Sequence, residues 1–127
     1  MGQMRITEPA LLLRIAKLYR DHMSEQALYE ATRGEWKLAR RRDAVQYAFA
    51  VAKGVVKEVF VVNQWHPAGT TEYATRKTED FRVTGRWEFI GSVAPHQVRK
   101  KYVGQSVAHY WPRGASNPVL YVNVPEN

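Results

Sequence analysis

Ala44 to Gly69 reads AVQYAFAVAKGVVKEVFVVNQWHPAG, and its alternation decides the fold. Side chains of a strand point alternately to its two faces. Val45, Tyr47, Phe49 and Val51 therefore share one face, and Gln46, Ala48, Ala50 and Ala52 the other. Lys53-Gly54 supplies a two-residue turn in which glycine accepts a positive φ. The return segment, Val55 to Val62, is apolar apart from Lys57 and Glu58, as in a central buried strand. Alanines on the second face ask for something packed closely over them, such as a helix. A hairpin buried on both faces is scaffold. Function then belongs to what it places at its ends: Arg40-Arg41-Arg42 before Val45, and an aromatic loop, Trp65-His66-Pro67, after Val62.

Toward the N-terminus, positions 33 to 42 hold five positive residues and one negative, Glu35. Glu35-Trp36-Lys37-Leu38 alternates polar and apolar and reads as a short strand. Before it, Ser24 caps a helix with Glu25 in its first turn, Ala27, Leu28 and Ala31 inward, and Gly34 at its end. Thr7 to Arg20 is expected to form an earlier helix. Thr7 caps it, Pro9 fits the first turn, and Leu11, Leu12, Ile15 and Leu18 recur at helical spacing. Arg14, Lys17 and Arg20 would then share its solvated side.

Toward the C-terminus, Asn63 to Gly85 has no sustained period. A loop of that length is functional or mobile, with edge strands at 71–76 or 81–83 as options. Arg86 to Val93, RWEFIGSV, is a strand with Trp87, Phe89 and Gly91 on one face. Pro95 opens a helix through Tyr102, closed by Gly104. Its Arg99, Lys100 and Lys101 lie where the helix dipole favours cations. A breaker-rich loop from Trp111 to Pro118 leads to a last strand, Val119 to Val124. The expected architecture is α+β in a single domain, residues 1–127. It has a curved, mainly antiparallel, barrel-like sheet, two N-terminal helices and one helix before the last strand.

Composition limits the function classes. Over 127 residues, 45% hydrophobic and 24% charged content matches a folded globular chain. The absence of cysteine excludes disulfides, thiolate metal sites and a cysteine nucleophile, and fits a cytoplasmic location. No apolar run approaches the ~20 residues of a membrane span. MGQMRITEPALLL makes a poor signal peptide, and its Met-Gly start matches a myristoylation site only in Gly2, because Ile6 stands where Ser or Thr is needed. The net charge of +7 favours polyanions, which release counterions on binding.

Enzyme constellations are absent from the sequence pattern. His22, His66, His96 and His109 are scattered, the glycines are isolated, and no two acids have motif spacing, so neither metal nor cofactor is expected. Tyr102-Val103-Gly104-Gln105-Ser106 resembles the second half of a GIY-YIG nuclease motif. The glycine-tyrosine strand that should precede it is missing, and only Glu126 follows, so the match is read as coincidence. A broader resemblance rests on LYEATRGEWKL, YAFAVAKGVVKEVFVV, WHPAGTT, GRWEFIGSVAP and YWPRGASNPVLYVNV. Together these look like a small bacterial and phage family without an assigned activity. Their layout is similar to PUA-like domains of the ASCH, EVE and YTH groups. That resemblance implies a curved-sheet module that binds RNA or a modified base drawn out of the stack. The GxKxxExR signature of the ASCH group is absent, so no ligand residue carries over.

A flipped or single-stranded base needs a stacking plane, polar groups for its edge and cations for its phosphates. The candidate phosphate forks are Arg40, Arg41, Arg42, Arg76 and Arg113. Trp65 and Trp111 are the candidate stacking planes, with His66 beside Trp65, and Ser116 and Asn117 the edge readers. Trp87 is expected in the core, Trp65 and Trp111 exposed. The pocket requires Trp65 and Trp111 to face one cleft with Arg40–Arg42; on opposite sides it fails. The expected function is nucleic-acid binding, to RNA or DNA, reading a flipped or modified base. Two other classes remain open. One is a small metal-independent nuclease or toxin using His66, His109, Tyr73 and Arg113 as acid, base and phosphate clamp. The other is a phage or bacterial protein-interaction module directed at a defence component.

Overall fold

The computed structural model describes residues 3–126. Met1 and Gly2, the start compared with a myristoylation site, lie outside the described residues, as does Asn127. The chain runs β1 (Ala10–Arg14), α1 (Glu25–Arg33), β2 (Trp36–Lys37), β3 (Tyr47–Ala52), β4 (Val55–Pro67), β5 (Arg86–Val93), α2 (His96–Tyr102) and β6 (Val119–Val122). The strands form one mixed sheet in the order β2-β5-β4-β3-β1-β6, curved into a nearly closed barrel. At the β3–β4 turn, Lys53 (φ 53°) and Gly54 (φ 76°) are both left-handed. Such turns match the twist of a hairpin's strands.

The expected helix from Thr7 to Arg20 is instead strand β1, so one helix, not two, precedes the hairpin. β1 lies between β3, which it pairs in parallel, and β6, which it pairs antiparallel. Leu11 and Leu13 face one core, Ala10 and Leu12 the other. A short apolar run buried on both faces has no periodicity that separates strand from helix. The partners on either side decided the matter. Helix α1 is as expected: Ser24 Oγ accepts from Ala27 N–H at 3.0 Å.

Trp65-His66-Pro67 is not a loop. β4 continues through it, pairing Trp65 with Phe89, His66 with Glu88 and Pro67 with Trp87 after a register shift between Val62 and Gln64. Gly91 permits the crossing there, because a Cβ at that position would collide with the Val61 carbonyl oxygen. Neither 71–76 nor 81–83 forms a strand; between β4 and β5 the regular structure is a 3-10 turn, Thr78–Asp80.

The sheet separates two cores. Leu12, Phe49, Val51 and Val59 pack with Tyr102 of α2 and with Trp111. Leu11, Leu13, Ala48, Phe60 and Phe89 pack on the other side with Trp36 and with Leu28 and Tyr29 of α1. Helix α1 contacts β3 and β5. Ala48 and Ala50 are the small residues that let it come close. Each fully buried Leu or Phe contributes about 1.5–3 kcal/mol.

Candidate functional site

The segment after β4 is tied to α1 and β5 by two buried carboxylates. Glu30 and Glu88 are 1% and 0% exposed. Glu30 accepts from Ala74 N–H (2.8 Å), Thr75 N–H (2.6 Å), Thr75 Oγ1 (2.7 Å) and Gln26 Nε2 (2.6 Å). Glu88 accepts from Gly69 N–H (2.7 Å), Thr71 N–H (2.8 Å), Tyr73 OH (3.0 Å) and the Thr71 hydroxyl. Burial opposes ionisation of both. The hydrogen bonds outweigh it and hold Glu30 down at about 2 and Glu88 below the usual carboxylate range. Arg33, also buried, lies 3.7 Å from the Tyr73 ring and donates to Thr71 Oγ1 at 2.7 Å and to the Glu72 carbonyl. Burial raises the Tyr73 hydroxyl, with the neighbouring Glu88 adding to the effect. Gly34 is required here: a Cβ would collide with the Tyr73 hydroxyl.

This lock leaves the following stretch, through Arg82 to Arg86, over a cleft of about 750 Å³ between the sheet's two edge strands, β2 and β6. Its cations are Arg14, Lys17, Lys37, Arg76, Arg82 and Arg86, against one carboxyl group, Glu35. Trp36 forms part of its floor, fixed by a 2.7 Å bond from Nε1 to the Thr32 carbonyl. Two cations are positioned internally. Arg14 lies 4.1 Å from the Trp111 ring and donates to the Ala115 carbonyl at 2.8 Å. Arg76 donates to the carbonyls of Glu30 (2.9 Å) and Gly34, and burial lowers its pKa. Lys17, Lys37, Arg82 and Arg86 make no side-chain hydrogen bond or ion pair among the described residues. Lys37 and Arg86 are directly paired positions of β2 and β5. Ser116 and Asn117 stand on the rim.

Of the sequence-predicted residues, the cleft gathers Arg76, Ser116 and Asn117. Arg40 is exposed on a 3-10 turn, Arg40–Ala44. Arg41 lies 4.2 Å from the Tyr121 ring and donates to the Val124 carbonyl at 2.6 Å. Arg42 lies 3.5 Å from the Trp87 ring, and its carbonyl accepts from Trp65 Nε1 at 3.0 Å. Arg41 and Arg42 thus pack the barrel instead of forming a phosphate clamp. Trp65 packs on Phe89 in one core, while Trp111, 7% exposed, is in the other. They are on opposite faces of the sheet, so the pocket expected between them does not form. Trp87 and Trp65 are half-buried, and Trp36 and Trp111 are the buried pair, their ring N–H groups donating to the carbonyls of Thr32 and Asn117. His66 is half-buried in β4 and Arg113 exposed in its loop; neither lines the cleft.

Sequence reading missed Arg14, Lys17, Glu35, Trp36, Lys37, Arg82 and Arg86 as a group. Their signal was the single acid in a basic run, but nothing local places 14–17 beside 82–86. The proposed nuclease groups are not gathered. His109 lines a smaller cavity with Met4 and Ser106, and His66, Tyr73 and Arg113 line neither cavity. The tyrosine of the GIY-YIG-like fragment, Tyr102, is buried with its hydroxyl on Glu8.

Among the described residues, no three His, Asp or Glu side chains are grouped to hold a metal, and no helix is long and apolar enough to cross a membrane. No family model, curated protein or solved structure matches the chain.

Proposed function

We propose that the chain binds single-stranded nucleic acid, RNA or DNA, with one nucleotide seated in the cleft between β2 and β6. The observation that carries this reading is the set of unpaired cations, Lys37, Arg82 and Arg86, on a concave surface floored by Trp36. Unpaired guanidiniums in a cleft are ready phosphate donors, and neutralising phosphates releases counterions. A volume of about 750 Å³ suits one nucleotide and not a duplex. The PUA-like resemblance read in the sequence implies binding of RNA or an unstacked base and is in keeping with this reading. The role of the expected Trp65–Trp111 pocket passes to this cleft.

The test is fluorescence anisotropy with a short labelled single strand across a salt series. The logarithm of affinity should fall linearly with the logarithm of salt. Replacing both Arg82 and Arg86 by alanine should lower that slope by about two, one per lost phosphate contact. No binding at low salt, or binding indifferent to salt, overturns the proposal. Capture of an acidic protein in place of the strand would favour a protein-interaction module.

A further inference from the structure

Glu35 is the one acid in a cleft of six cations. It immediately precedes Trp36 and is half-buried in the cleft wall. Its Oε2 is buried without a hydrogen-bond partner, and it forms no ion pair among the described residues. A buried acceptor left unsatisfied is costly, and a ligand that brings a donor removes the cost. A carboxylate presents two acceptors side by side. Among the four common bases, guanine alone places two adjacent donors, N1–H and N2–H, on its pairing edge. Adenine and cytosine put an acceptor beside their amino group, and uracil flanks N3–H with two carbonyls. We infer that, in a strand bound as proposed above, the Glu35 side chain turns its carboxylate out of the cleft wall and selects guanine by accepting from N1–H and N2–H, with Lys37, Arg82 and Arg86 holding the adjoining phosphates.

The charged groups around the carboxyl are Arg86 from β5, Arg76 and Arg82 from the loop, and Lys37 from β2, with Glu30 and Arg33 of α1 and Tyr73 around Arg76. Burial raises Glu35 above the ordinary carboxylate range even against the pull of Arg86 and Arg76, a hydrogen bond from the Arg82 backbone N–H and the Arg82 charge. A protonated carboxyl presents one donor and one acceptor, the pattern complementary to adenine or cytosine. Guanine selection therefore belongs to the ionised form and fades as pH falls through that raised value.

The experiment compares pyrimidine hexamers carrying G, A, C or U at one central position, at fixed low salt and neutral pH. The guanine strand should bind about tenfold tighter. Glu35→Gln should abolish that preference by weakening the guanine strand, while keeping or tightening binding of the other three, since a negative charge is lost from a basic cleft. Glu35→Ala should do the same, and circular dichroism checks that both variants fold. Lowering the pH should narrow the preference of the native chain and leave the Gln variant unchanged. Equal affinity for all four strands, or a guanine preference surviving in both variants, overturns the assignment of Glu35 alone. Failure of the native chain to bind any strand overturns the binding reading on which it rests.

Discussion

Arg41 and Arg42 differ from Arg82 and Arg86 in what surrounds them. The first pair follows β2, where Tyr121 and Trp87 offer ring faces and Val124 a carbonyl; the Arg42 side chain is only 15% exposed. Of the second pair, Arg82 is placed over the cleft by the loop and Arg86 by the first residue of β5. Arg33 and Arg76 stand between these extremes, bonded to carbonyls that fasten the loop to α1. A guanidinium against an aromatic face, with a carbonyl added in the case of Arg41, becomes part of the packing. One without them keeps its donors for a ligand. Charge density in the sequence does not distinguish the cases.

That contrast can be broken most strongly at the lock. Glu88→Ala removes the acceptor for Gly69, Thr71 and Tyr73 and leaves their donors unsatisfied inside the protein. Each such donor costs about 1–3 kcal/mol, so the sum should be read easily from urea unfolding. A loss under about 1 kcal/mol would mean the loop is held by other contacts. Strand binding should weaken too, because the loop carries Arg82.

Acid should act next. Glu30 is held at about 2 when folded, against 4.5 for an unperturbed carboxyl. Its stabilisation is therefore complete above the unfolded value and lost as pH falls from 4.5 toward 2. The shift corresponds to roughly 3 kcal/mol. Glu88 is depressed as well and adds in the same direction. Thermal melts across that window should show a falling midpoint, with a shallower fall for Glu30→Gln.

The smallest stability effects separate the two arginine pairs. Arg42→Ala should cost about 0.5–2 kcal/mol, the range of a stacked cation, with strand affinity unchanged. Replacing Arg82 and Arg86 by alanine should change stability by less than about 0.5 kcal/mol while weakening strand binding. The reverse pattern would exchange the roles assigned to the pairs.

Much of the fold was legible locally. The hairpin declared itself by alternation and Lys53-Gly54, α1 by Ser24, and β5 by its apolar positions. The α+β class and the barrel-like sheet followed from these. β1 was misread because Leu11-Leu12-Leu13 is buried on both faces and carries no distinguishing period. The extension of β4 through His66 depended on β5 as a partner. Glu88 gave no signal of burial: its position alternates with Trp87 and Phe89 as a solvated residue would.

The sequence by itself determined which segments alternate, turn and cap, because those preferences act over a few residues. Tertiary structure alone decided which charges are internal and which are left over the cleft. Arg41 meets the Val124 carbonyl across 83 positions of chain, and Arg33 meets Thr71 across 38. Stacking and hydrogen bonding act over a few ångströms, so a side chain's employment is fixed only when closure of the barrel brings such partners within reach.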